Sequence, residues 1–175
     1  ADFRDGVVGK GIVPGKDLVY EAAGNMGPEG TVCFWMKPFA WKHPDGHNHY
    51  LFRGPPGSFF ALYYGVLRDY HRNPQGDIVA VDLWEKLSRG EWRFIALTWR
   101  ADLRELYIDG VRRQSRTQGV APVRVGEKSR FLLPANGRIV DELMVFKRVL
   151  SSAEIKALFY RVKREAQPPE PTRKR

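Results

Sequence analysis

Six aromatic residues stand where strands end or loops begin: Trp41, Tyr50, Tyr64, Tyr70, Trp84 and Trp92. Sugars stack their apolar C–H faces on such rings, while neighbouring polar groups hold the hydroxyls. The chain has 10 Phe, 5 Trp and 7 Tyr, more than a core of this size needs. Each of the six rings has a competing use, which is packing beneath a loop. A second chemistry lies between residues 100 and 116, where Arg100, Arg104, Arg112, Arg113 and Arg116 gather. Guanidinium forks suit sulfate, carboxylate and phosphate groups. Arg104 and Arg112 are expected to face each other across a hairpin. The six rings with Arg100, Arg104, Arg112 and Arg113 form the candidate carbohydrate-binding set. His43, His47 and His49 in WKHPDGHNHY raise a third chemistry, since two histidines at i, i+2 on a strand can share a face and hold zinc or copper. No acidic partner is spaced to complete that site, and a polar surface loop explains the same residues. Cys33 is the only cysteine, which excludes an internal disulfide and any zinc site built on cysteine pairs.

Positioning these groups falls mostly to short strands. Thr31–Lys37 is β-branched and aromatic, lies between Gly30 and Pro38, and is apolar on both faces, as expected of a mid-sheet strand. Tyr50–Arg53 and Ser58–Tyr64 flank the turn Gly54-Pro55-Pro56-Gly57. Asp77–Leu83 alternates cleanly, and Arg93–Trp99 follows the polar turn Ser88-Arg89-Gly90. Leu103–Ile108 and Val111–Arg113 flank Asp109-Gly110, a two-residue hairpin turn that residues tolerant of positive φ make at low cost. Residues 93–113 therefore read as a three-stranded meander, with further strands at 130–134 and 138–146. One helix is predicted. Ser151 is its N-cap and Glu154 the N3 partner of a capping box, followed by Ile155, Leu158, Phe159 and Val162 on one face. Many short strands with regular turn signals indicate an all-β sandwich. The expected organisation is one domain over residues 1–165 and a Pro-rich basic tail over 166–175.

The segments GTVCFWMKP (30–38), GEWRFIALTWR (90–100), LRELYIDGVRR (103–113) and GRIVDELMVFKRVLSSAEIKALF (137–159) occur in order and at sensible spacing. Together they resemble the laminin-G-like jelly-roll domains of the concanavalin A-like lectin and glucanase superfamily, over roughly residues 6–160. The resemblance implies two antiparallel sheets face to face, about a dozen strands, and one short helix after the last. It implies a glycan-binding or adhesion module of a secreted or cell-surface protein, often with structural calcium. It also places Asp141, in GRIVDEL, where relatives often carry a calcium-facing aspartate, and Asp17 near the family's other acidic strand entry. Calcium takes six to eight oxygens, which loop carbonyls would have to complete. The alternative for Asp141 is a hydrogen bond to loop backbone.

Two departures from the family pattern stand out. Relatives commonly open with an additional strand, whereas this chain enters late, at Asp5–Gly11. A missing strand would bare a sheet edge, and the tail or a neighbouring subunit is expected to cover it. Second, glucanases of the superfamily need paired carboxylates at alternate strand positions, about 5 Å apart. No Glu-x-Asp-x-x-Glu pattern occurs, and Asp141 and Glu142 are adjacent, so a regular strand points them to opposite faces. No enzyme is expected.

The net charge of +9 is uneven. Residues 1–99 hold 11 Lys/Arg and 11 Asp/Glu, while residues 100–175 hold 18 and 9. This asymmetry suggests a polyanionic partner or, more plainly, a basic tail serving solubility. Nothing in the chain matches an RNA- or DNA-binding module. No apolar run approaches the roughly 20 residues that span a bilayer. An opening Ala1-Asp2 without methionine fits a mature form left by leader cleavage. The sequence thus reads as a secreted or cell-surface, non-catalytic lectin-like domain for polysaccharide or glycoconjugate, with acidic polysaccharide favoured by the charge. The alternative is a structural subunit of an extracellular oligomer or filament, locked by strand or tail exchange.

Overall fold

A computed structural model of the chain describes residues 2–41, 48–54, 59–63, 66–72, 78–85, 87–117 and 123–166. Its strands are β1 (Asp2–Asp5), β2 (Lys10–Val13), β3 (Leu18–Glu21), β4 (Gly30–Pro38), β5 (Asn48–Arg53), β6 (Phe59–Tyr63) and β7 (Val66–Arg72). They continue with β8 (Ile78–Trp84), β9 (Arg93–Arg100), β10 (Leu103–Ile108), β11 (Val111–Arg116), β12 (Arg130–Leu133) and β13 (Arg138–Phe146). Helix α1 (Ser152–Glu165) closes the described chain. Two antiparallel sheets result, ordered β1-β2-β13-β4-β9-β10-β11 and β3-β12-β5-β6-β7-β8. This is the expected jelly-roll sandwich, with its meander at β9–β11 and, among the described residues, one helix after the last strand.

Strand β4 explains the layering. It lies between β13 and β9 and is buried along almost its whole length. Val32, Phe34 and Met36 point into the space between the sheets, joined there by Leu51, Phe52, Leu67, Ile95, Leu97 and Trp99. Cys33 and Trp35 point the other way and meet Phe94, Ala96 and Tyr107 beneath the helix residues Ile155, Phe159 and Val162. Trp35 stacks on Phe159 with centroids 5.4 Å apart. The helix is thus a lid on the outer face of the seven-stranded sheet, and the molecule has two cores.

Two local devices hold that lid. Asp109 and Gly110 both have positive φ (52° and 76°), as a tight β10–β11 hairpin requires. Ser151 caps the helix: its hydroxyl accepts from the Glu154 N–H at 3.3 Å, and Glu154 accepts from the Ser151 N–H at 2.8 Å. Arg148 donates to Glu154 at 2.6 Å. This ion pair, together with the Ser151 hydrogen bonds, holds the Glu154 carboxyl down at about 2.

The chain's late entry does not leave the sheet short. Residues 2–13 form a hairpin, β1–β2, that supplies the edge beside β13. Asp141 anchors it, accepting from the Val7 and Val8 N–H groups at 2.8 and 3.1 Å. Gly6 permits the approach, since a Cβ there would lie 2.7 Å from the Gly11 nitrogen. The register of β13 shifts between Asp141 and Met144, and Glu142 has φ of 49°. This bulge overrides the regular alternation assumed for Asp141 and Glu142. Strand β1 is short, exposed and rich in charge (Asp2, Arg4, Asp5), a composition that discourages edge pairing. The tail from residue 167 onward lies outside the described residues.

Asp141→Ala is expected to lower stability by about 1.5–3 kcal/mol, the scale of hydrogen bonds to a charged acceptor. Urea unfolding checks this, with hydrogen exchange expected to rise first at residues 6–11. The depressed Glu154 carboxyl contributes stability that is present above the usual Glu range near 4.5 and lost as pH falls through about 2. The melting-temperature difference between wild type and Glu154→Gln should therefore shrink across that window, and thermal melts at stepped pH measure it.

Candidate functional site

Alternation along the six-stranded sheet sorts its residues by face. Leu51, Phe52, Leu67 and Asp69 are buried between the sheets, and Leu83 packs against the same core. Tyr50, Arg53, Arg68, Tyr70 and Trp84 consequently occupy the outer face. Register aligns them: Tyr50 pairs with Ala61 and Ala61 with Arg68, while Arg53 pairs with Phe59 and Phe59 with Tyr70. Tyr50 and Arg68 therefore stand two strands apart, about 10 Å. Trp84 lies on the edge strand, two positions beyond the register partner of Arg68, about 7 Å along the sheet. Its ring is 78% exposed, the largest exposure among the large hydrophobic residues described. Three of the six candidate rings, Tyr50, Tyr70 and Trp84, are thus brought to one surface.

Groups that sequence reasoning passed over position these rings. The Arg53 guanidinium sits 4.2 Å over the Tyr50 ring. Arg138, fully buried, donates to the carbonyls of Tyr50 and Leu51 at 3.0 and 2.6 Å, and the Asn136 amide donates to Tyr50 at 2.6 Å. Burial pulls the Arg138 guanidinium down to about 9. These bonds occupy backbone carbonyls where β5 bulges between Tyr50 and Phe52. Next to Trp84, Glu85 accepts from Arg93 at 3.0 Å and from Arg113 at 2.8 Å. Arg93 also pairs with Asp109 at 2.8 Å. This chain of charges ties the end of β8 to β9 and β11 on the opposite sheet, and so holds the Trp84 backbone against both layers.

The arginine-dense hairpin is not the open cationic surface expected of it. Arg104 is 2% exposed and faces the space between the sheets, the side of Leu106 and Ile108. Its charge acts on buried Asp69 of β7, whose carboxyl burial pushes up against that pull. Arg112 donates to Glu105 at 2.9 Å, and Arg100 to Asp102 at 2.8 Å. Arg113 is the residue inserted where the register shifts, since Tyr107 pairs with Arg112 and Leu106 with Gln114. That bulge sends two consecutive arginines to two carboxylates, Glu105 on β10 and Glu85 just after β8. It also sets Arg104 opposite Arg116, not opposite Arg112.

The remaining candidates scatter. Trp41 is 5% exposed, its indole N–H donating to the Asn136 carbonyl and its ring stacked on His49 at 4.4 Å. It is a core residue under the 134–138 turn, because a Trp N–H takes an internal acceptor when one is offered. Trp92 lies half-buried on the helix side, with the Lys37 ammonium 5.0 Å from its ring. Tyr64, His43 and His47 lie outside the described residues. Burial pushes the Cys33 thiol up to about 12, so it is no nucleophile.

Calcium does not fit Asp141. One carboxylate oxygen accepts from Val7 and Val8, and the other accepts from the Glu142 N–H at 2.9 Å. A cation there would meet N–H donors, where calcium needs oxygens. Asp17 accepts from the Ala135 N–H at 2.9 Å and fixes a loop. Among the described residues no three His, Cys, Asp or Glu side chains gather to hold a metal ion. None of the described helices is long and apolar enough to cross a membrane.

Comparison with solved structures agrees with this architecture. The binding domain of Paraclostridial Mosquitocidal Protein 1 superposes with a TM-score of 0.73 at 18% identity, covering 90% of this chain and 45% of that one. Domain 4 of AbnA, a GH43 extracellular arabinanase from Geobacillus stearothermophilus solved in complex with arabinotriose, gives 0.72 at 21% identity, covering 89% and 79%. The botulinum neurotoxin serotype D binding domain gives 0.66 at 13% identity, covering 86% and 42%. The chain spans less than half the length of those two toxin domains. No curated protein matches by sequence. Residues 19–156, well over half the chain, match a laminin-G family of the "Concanavalin A-like lectin/glucanases superfamily", and the chain belongs to that family.

Proposed function

We propose that this chain is a non-catalytic carbohydrate-binding module of a secreted or cell-surface protein, and that it binds glycan on the outer face of its six-stranded sheet. The observation that carries the reading is the gathering of Tyr50, Tyr70 and exposed Trp84 on one surface with Arg53 and Arg68 among them. Rings separated by strand spacings suit successive residues of an extended saccharide, and the two guanidinium groups favour chains bearing carboxylate or sulfate. The arabinotriose complex of the arabinanase domain supports a saccharide ligand for this fold. Arg113 contributes indirectly, through its ion pair with Glu85 beside Trp84, whereas Arg100 and Arg112 are paired with Asp102 and Glu105 on the other sheet. Calcium plays no part in this proposal.

Binding to immobilised neutral and acidic polysaccharides at about 50 and 500 mM salt tests the reading, because the higher concentration screens the guanidinium contribution. Retention is expected on at least one acidic member, weakened at high salt. Trp84→Ala and Tyr70→Ala should each weaken it by about 0.5–1.5 kcal/mol, up to roughly tenfold. Failure to retain any polysaccharide at either salt would overturn the proposal. Sedimentation into large species in that case would favour a structural subunit. Melting curves in about 5 mM calcium and in chelator are expected to coincide, since that concentration exceeds the dissociation constants of extracellular calcium modules.

A further inference from the structure

Helix α1 buries Ile155, Phe159 and Val162 against the sheet, and its neighbouring stripe does something else. Positions 154, 157, 158, 161 and 164 follow the i, i+3, i+4, i+7 spacing and share one side of the helix. That side faces the end of β13 and the segment leading into the helix across an open groove of about 380 Å³. Its floor is apolar, made by Phe146, Leu150, Ala157 and Leu158. Its rim carries Arg148, Arg161 and Arg164 against a single carboxylate, Glu154.

The three arginines are not equivalent. Arg148 is committed to Glu154 at 2.6 Å. Arg161 makes a long 3.9 Å pair with Glu165 and donates to the Met144 sulfur at 3.7 Å. Arg164 makes no ion pair with a described residue. Positive charge that is paired internally along the hairpin is thus less fully paired along this groove, at Arg161 and Arg164. The volume falls at the small end of the range for small-molecule sites, about 300–1,000 Å³, and an apolar floor with few charged groups is their usual lining.

We infer that this groove binds a free single-chain amphiphile with an anionic head, its hydrocarbon lying on Leu150, Ala157 and Leu158 and its carboxylate or sulfate between Arg161 and Arg164. The site is on the helix side of the seven-stranded sheet, while the aromatic face belongs to the outside of the other sheet. The two are therefore independent in substance and in test.

Calorimetric titration of the 175-residue protein with decanoate and decyl sulfate, kept below micellar concentrations, checks the inference. One equivalent is expected to bind saturably, and decanol and inorganic sulfate each at least about tenfold more weakly. Arg161→Gln/Arg164→Gln, changed at two exposed positions, should weaken decanoate about tenfold with an unaltered circular dichroism spectrum. Ala157→Trp, which fills the groove from an exposed helical position, should abolish binding. Trp84→Ala should leave decanoate binding unchanged even where it weakens polysaccharide retention. Absence of saturable binding, equal affinity for decanol, or wild-type affinity in the arginine pair would each overturn the inference. Co-sedimentation with vesicles of anionic phospholipid, without decanoate binding, would overturn it in favour of a membrane surface.

Discussion

A sheet with two apolar faces must be covered twice. In β4, successive residues Val32 to Met36 alternate between Phe34-type positions and Trp35-type positions, and neither set tolerates water. The second sheet covers one side and helix α1 the other. The burial of a single aromatic residue is worth about 1.5–3 kcal/mol, so leaving either side open would cost several residues' worth at once. The helix is therefore not an appendage of the sandwich. Its N-terminus is tied in by polar contacts as well, because Tyr107 bridges Glu105 at 2.7 Å and the Ser152 hydroxyl at 3.0 Å. Burial holds the Tyr107 phenol above its usual range, with the Ser152 hydrogen bond opposing it and Glu105 reinforcing it.

Charge is handled by the same economy of faces. Arg104 sits between the sheets opposite the charge of Asp69, and both Asp69 oxygens lack hydrogen-bond partners among the described residues. A buried pair with unmet hydrogen bonds adds little net stability, yet removing one partner is destabilising because the other remains buried. Glu85, nearly buried, collects Arg93 of β9 and Arg113 of β11, while Glu105, also nearly buried, takes Arg112. A segment dense in arginine can therefore present little free positive charge.

Much of this was legible in the residues. The doubly apolar run Thr31–Lys37, the Asp109-Gly110 turn and the Ser151–Glu154 capping box each specify local geometry by short-range chemistry, and each stands where expected. Parity along Leu103–Ile108 also carried the position of Arg104, two residues from Leu106 and four from Ile108, although its charge argued for the surface. Other features follow from long-range geometry. The bulges at Leu51, Arg113 and Glu142 each exchange faces for the residues beyond them, and no local composition marks them. Trp41 depends on a carbonyl 95 positions away, and the support of Tyr50 on Arg138, 88 away. The N-terminal hairpin depends on Asp141, more than 130 residues distant.

Cys33 has a practical consequence. The thiol is fully buried beneath the helix and protonated far above neutral pH, so thiol reagents meet no thiolate there in the folded protein. A cysteine introduced on either outer surface would then be the sole reactive handle without altering the native residue. Fluorophores or surface tethers can accordingly be placed on the aromatic face and on the helix in separate molecules, and each face can be presented to or withheld from solution by orientation alone.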